Sequence, residues 1–192
     1  MTVTQERSEG SDMANNLFLG PDAQGRFLLT RLKAFEGRGA IQSGSTPVIE
    51  GVHFSVDPQA EVAGRFDSRP GCIISFSIKP RRATEPRWQA LHLALGPLDL
   101  SGAGVVGVVV RSRAKQAVTT RICLRSGRSD SFVDHFLGKT LVSHAQDSTH
   151  LDAIDLTTAM DLPRRADWRD LILFLRTSAV ELEVLDLRFF VV

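Results

Sequence analysis

Cysteine is scarce in this chain. Cys72 and Cys123 are the only two, which excludes a disulfide framework as the source of the fold. Both lie inside apolar, strand-like runs (GCIISFSI and TTRICLRS), so they read as buried thiols, with a single bridge between them as the alternative. An excess of one charge is lacking too. Lys and Arg total 23 against 22 Asp and Glu, a formal net charge of +1. Such a balance gives no long-range field to draw nucleic acid or an anionic membrane, and neither is expected as a partner. No apolar run approaches the roughly 20 residues of a membrane span. The opening MTVTQERSEGSDMANN has neither an apolar core nor a small-residue cleavage site, so it reads as no secretory signal and a cytoplasmic protein is expected. Residues 1–16 are polar enough for a flexible tail, leaving 17–192 as one domain. No repeat of solenoid or propeller period occurs.

What is present is short apolar runs at even spacing. Of the residues, 43% are apolar, enough to fill one core at this size. Within 87–126, three runs separated by two turn clusters predict three consecutive strands of one antiparallel sheet. Leu91, Leu93 and Leu95 alternate with Ala90, His92 and Ala94, the mark of a half-buried strand. GVVGVVVRSR (104–113) is apolar on both faces, as a covered central strand would be. In VTTRICLRSG, Val118, Thr120, Ile122 and Leu124 face inward and Thr119, Arg121, Cys123 and Arg125 outward. Further strand-like runs fall at 48–56, 60–66, 71–80, 131–138, 151–160, 168–177 and 180–192, separated by Gly, Pro and Asp turns. Residues 139–150 read as a polar connection. The stretch 17–38 admits two readings. Phe27, Leu28, Leu32 and Phe35 stand near helical spacing, with Gly37 as a stop; Phe27, Leu29, Arg31 and Lys33 also alternate as an edge strand, the preferred reading. Nine or ten strands with no helical run between them predict an all-β fold, a two-sheet antiparallel jelly-roll-like sandwich. A parallel α/β sheet would need those helices.

The order W-x-x-L-x-L-x-L from Trp88, then PLDLSGA at 97–103, then a long β run ending VRSR at Arg113, resembles the galactose-binding-like jelly roll. That superfamily includes many carbohydrate-binding modules. A later W-x-x-L-x-L run from Trp168 and a closing strand carrying Asp186 agree with it. The complex-I intermediate-associated family, built on the same sandwich, is a related resemblance. The likeness covers about residues 45–192. It implies a binding module for a carbohydrate, and it implies that a structural calcium ion is the only candidate cofactor. One departure stands out. Sugar-binding members offer exposed Tyr and Trp as stacking platforms, whereas this chain has no Tyr, and its two Trp residues stand at strand starts where the family places packing residues.

Three groups of residues are candidates for chemistry. Gly102, Gly104 and Gly107 match G-x-G-x-x-G, but the fingerprint needs a helix after it to seat a pyrophosphate. The residues after Gly107 are β in character (VVVRSR), so the glycines read as a turn and a closely packed strand position. The polar stretch 129–155 gathers Asp130, Asp134, His135, His144, Asp147, His150, Asp152 and Asp155. Asp and His at this density suit ion ligation or acid–base work, yet no metal-ligand spacing occurs, and a solvated loop and sheet edge is the plainer reading. Finally, Trp88, His92, Arg111, Arg113, Arg121 and Arg125 fall on outward strand positions. On neighbouring strands they would form one row in which Trp stacks on a sugar and Arg forks grip acidic groups; an ordinary charged sheet face is the alternative. Trp168 is expected in the core. No G-x-S-x-G elbow occurs, which removes an α/β-hydrolase nucleophile.

The resulting expectation is a non-catalytic carbohydrate-binding domain, with an acidic glycan among its candidate ligands. Its expected ligand contacts are Trp88, His92, Arg111, Arg121, Arg125, Asp134, His135 and Asp152. The alternative is a protein-interaction or assembly domain. The third reading is an enzyme using Asp134, His135, His150 or Asp152.

Overall fold

The computed structural model describes residues 20–81 and 85–192. The proposed tail at 1–16 lies outside the described residues. Among the described residues one helix, α1 (Ala23–Ala34), is followed by twelve strands: β1 (Gly37–Ile41), β2 (Gly44–Ile49), β3 (Val52–Val56), β4 (Val62–Arg69), β5 (Cys72–Pro80), β6 (Gln89–Gly96), β7 (Val105–Arg113), β8 (Val118–Arg128), β9 (Ser131–Ser143), β10 (Ser148–Asp155), β11 (Trp168–Leu175) and β12 (Val180–Val191). They form two six-stranded sheets, in the orders β1-β4-β5-β12-β7-β10 and β2-β3-β6-β11-β8-β9. Every pairing is antiparallel. The expected all-β sandwich is the fold.

The core lies between the sheets and follows from the period of two along each strand. Leu91, Leu93 and Leu95 of β6, Leu171 and Leu173 of β11, and Ile122 and Leu124 of β8 are all buried against Ile74, Phe76, Val108, Val110, Leu182 and Val184 of the facing sheet. Phe54 meets Phe76 edge-on at 5.1 Å and Phe66 at 6.1 Å. Burying a side chain of this size contributes about 1.5–3 kcal/mol, so these rows dominate the stability of the domain.

Three expectations are corrected. The runs within 87–126 are not three neighbours of one sheet, because β6 and β8 belong to the second sheet and β7 to the first. The segment between β6 and β7 is no hairpin turn: Leu98 and Leu100 are buried in the core, so the chain crosses the end of the sandwich between them. The stretch preferred as an edge strand is helix α1 over Ala23–Ala34. Gly25, Leu28, Leu29 and Leu32 form its buried side, while Phe27 points outward. The helix closes one open end of the core, where Gly25 comes close to Leu95 and Phe189. Arg31 and Lys33 stand in its last turn, where cations suit the helix dipole. Lys33 Nζ also reaches Asp186 Oδ1 of β12 at 2.6 Å.

The polar connection expected at 139–150 is mostly strand, since β9 runs on to Ser143 and β10 begins at Ser148. Gly107 is the closely packed position expected: a Cβ there would stand 2.9 Å from the Asp152 carbonyl oxygen and press into the Phe190 ring.

Candidate functional site

The two outer faces differ in chemistry. That of the first sheet is charged and internally paired: Arg113 reaches Glu183 at 2.8 Å and Asp147 at 3.4 Å, and Lys115 reaches Glu181 at 2.8 Å. That of the second sheet is aromatic, and the register defines it row by row. His53, His92, Ile172, Cys123 and Phe136 stand opposite one another across β3, β6, β11, β8 and β9. The next row holds Ser55, Ala90, Phe174, Arg121 and Thr140. On the other side lie Ala94, Asp170, Arg125 and Asp134, then Trp168, Gly127 and Phe132.

The floor of this face is sealed although, among the described residues, no second sheet covers it. Ala90, Cys123 and Ile172 are wholly buried, with Phe136 and Phe174 packed against them at a ring separation of 5.5 Å. Burial, and next the Asp134 charge, push the Cys123 thiol up to about 12, so it is an inert hydrophobe at neutral pH. Around the floor the polar groups are fixed. Arg125 donates two hydrogen bonds to Asp134, Nε to Oδ1 at 2.6 Å and Nη2 to Oδ2 at 2.7 Å, and lies 4.0 Å over the Phe132 ring. Arg121 lies 3.8 Å over Phe136. The His53 and His92 rings stack at 4.7 Å, and His92 Nδ1 stands 3.3 Å from Asp170 Oδ2. Trp88 donates from Nε1 to Ser55 Oγ at 3.4 Å. Its ring is flanked by Arg87, which is anchored on Asp57 at 2.8 Å and holds that carboxyl well below the usual carboxylate range.

Of the expected contact residues, Trp88, His92, Arg121, Arg125 and Asp134 share this face. Arg111 does not: β7 belongs to the first sheet, so Arg111 faces out on the opposite side of the sandwich, in register with Asp186 and Thr149. Arg113 is displaced with it. His135 stands on the same side of the second sheet as its partner Leu124, and its Nδ1 lies 3.1 Å from Asp161 Oδ2. Asp152 is buried at the seam between β9 and β10, where it accepts the backbone N–H of Lys139 at 2.6 Å and of Ala153 at 2.9 Å. Of the residues of the enzyme reading, Asp134 is on the outer face, whereas His150 and Asp152 stand on the other side of their strand with partners Val110 and Val108, where the Asp152 charge acts on His150. Among the described residues no three His, Cys, Asp or Glu side chains gather to hold a metal ion, so the calcium ion implied by the resemblance acquires no carboxylate set there.

Sequence reasoning missed His53, Phe132, Phe136, Phe174 and Asp170, and it misplaced Trp168. The signal was available in WRDLILFL. Leu171, Leu173 and Leu175 take the core side, which sends Trp168, Asp170, Ile172 and Phe174 to the other. Trp168 lies across the Gly127 backbone, where any Cβ would collide with its indole, and it keeps 37% of its surface exposed.

No known family model matches this sequence, and no curated protein is similar to it. Solved structures share the fold. One is a family 11 carbohydrate-binding module from Clostridium thermocellum in complex with a beta-1,3-1,4-mixed-linked tetrasaccharide. It has a TM-score of 0.52 and 9% identity over 81% of this chain and 96% of that one. Another is a CBM4 structure, with a TM-score of 0.50 and 12% identity over 73% of this chain and 87% of that one. At these identities the likeness is one of fold, the jelly-roll-like sandwich of carbohydrate-binding modules.

Proposed function

We propose that this chain is a non-catalytic carbohydrate-binding domain that holds a glycan across the outer face of its second sheet. The observation that carries the reading is the aromatic make-up of that face. Trp88, Phe132, Phe136, Phe174 and Trp168 stand over a buried apolar floor, and the Arg125–Asp134 and His92–Asp170 pairs stand among them. Sugars present the complementary surface, since their C–H faces stack on rings while their hydroxyls meet fixed donors and acceptors. Phenylalanine rings supply stacking surface here in a chain that has no tyrosine. The shared fold supports the reading by placing a broad sheet face at the disposal of a chain-like ligand.

Calorimetric titration against a panel of soluble β-linked glycans, with and without chelator, tests it. Binding in the micromolar to millimolar range is expected, weakened about tenfold in Trp168→Ala and Phe132→Ala variants that keep their thermal midpoint. Loss of binding only with chelator would establish an ion-dependent site. No binding at millimolar glycan would sink the reading.

A protein partner is the second reading, favoured by one observation. Val133, Val142 and Leu151 are exposed large apolar side chains on β9 and β10, which are the edge strands of the two sheets, and exposed edges with apolar side chains are where chains pair.

A further inference from the structure

We infer that the glycan carries a carboxylate and that Arg121 is the residue that recognises it, a step that rests on the glycan-binding reading above. Strands β8 and β9 place two arginines on the outer face, each laid over a phenylalanine of the neighbouring strand: Arg121 on Phe136 and Arg125 on Phe132, at 3.8 and 4.0 Å. Their surroundings differ in one respect. Arg125 stands opposite Asp134 and commits its fork there through two hydrogen bonds of 2.6 and 2.7 Å. Arg121 stands opposite Thr140, is exposed, and among the described residues its guanidinium meets no carboxylate.

Among the described residues this face leaves the Arg121 fork open to a carboxylate from outside. Asp134 and Asp170 are the carboxylates of these rows, and they are taken by Arg125 and His92 respectively. A guanidinium packed over a ring has lost part of its rotamer freedom in advance, and its planar fork matches two coplanar carboxylate oxygens. Arg121 also stands beside Phe174 in register. A sugar ring stacked on Phe174 would direct an acidic substituent at that fork. A uronic acid supplies the required group, whereas a sulfate ester offers similar charge with tetrahedral oxygens.

Titrating glycan pairs that share a backbone tests the assignment: unsubstituted xylan against glucuronoxylan, hydroxyethylcellulose against carboxymethylcellulose, and a sulfated xylan beside them. The carboxylate-bearing member should bind about tenfold tighter than its neutral partner. In Arg121→Gln the acidic-to-neutral ratio should fall to about one, and Arg121→Lys, a charge without the fork, should restore only part of it. Equal binding of both members, or a preference that survives in Arg121→Gln, would overturn the assignment while leaving glycan binding intact. Tighter binding of the sulfated xylan than of glucuronoxylan would replace the carboxylate by sulfate. Failure of every glycan, neutral and acidic, would overturn the underlying reading as well.

Discussion

The imidazoles of His53 and His92 lie stacked, with ring centroids 4.7 Å apart and planes 18° from parallel. Two protonated rings cannot hold that arrangement without repulsion, and burial adds to the penalty. Burial first, and then the His92 charge, lower the His53 pKa from its ordinary 6.5, while Asp170 opposes them. The unfolded chain therefore takes up a proton on His53 before the folded one does. Stability is fully present above the unfolded value and declines as pH falls below about 6.5. Thermal midpoints measured from pH 7.5 to 5 should drop more steeply for the native chain than for His53→Gln. His150, whose pKa burial also lowers, contributes equally to both proteins and cancels. Parallel profiles would contradict the account.

Gly127 and Trp168 form a matched pair on the same face. The indole rests where a β-carbon would stand, so Gly127→Ala must lift the ring from its seat. A fold that stays intact, a shifted tryptophan emission maximum and glycan affinity weakened several-fold are expected, since an aromatic contact contributes about 0.5–1.5 kcal/mol. Unchanged emission would show that the seat was not needed.

Arg169 is buried, and among the described residues no carboxylate pairs with it. Its Nε donates to Leu98 O at 2.8 Å, Nη2 to Pro163 O at 2.6 Å, and Nη1 to Ser126 Oγ. Burial draws its pKa down to about 10, so it remains a cation at neutral pH and joins the β6–β7 crossing and the loop before β11 to β8. Arg169→Met should cost about 3 kcal/mol in urea denaturation, because it orphans three acceptors at once. A loss below about 1 kcal/mol would mean that water replaces the guanidinium.

Asp152 should behave as a seam residue. Asp152→Ala leaves the Lys139 and Ala153 amides without their carboxylate and should lower stability by about 1–3 kcal/mol, with glycan affinity unaltered in the folded fraction. Lost affinity in a fully stable Asp152→Ala protein would return it to the ligand site.

The alternation of apolar residues by itself determined the fold class, the inward rows of β6 and β8, and the outward positions of His92, Arg121 and Arg125. Those follow from the period of two, which any strand obeys wherever it lies. Helix α1 was less legible, since Phe27 and Leu29 alternate as well as they spiral. Its state was decided by the open end of the sandwich, where a stripe of Leu28, Leu29 and Leu32 finds a core to cover. Only the tertiary structure decided which strands became neighbours. Period gives each side chain a face but no sheet, so Arg111 and Arg121 looked equivalent until the crossing through Leu98 and Leu100 sent β7 to the other layer. For the same reason the floor of Ala90, Cys123 and Ile172 could not be read in advance: three residues far apart in the chain become one surface only when β6, β11 and β8 are hydrogen-bonded side by side.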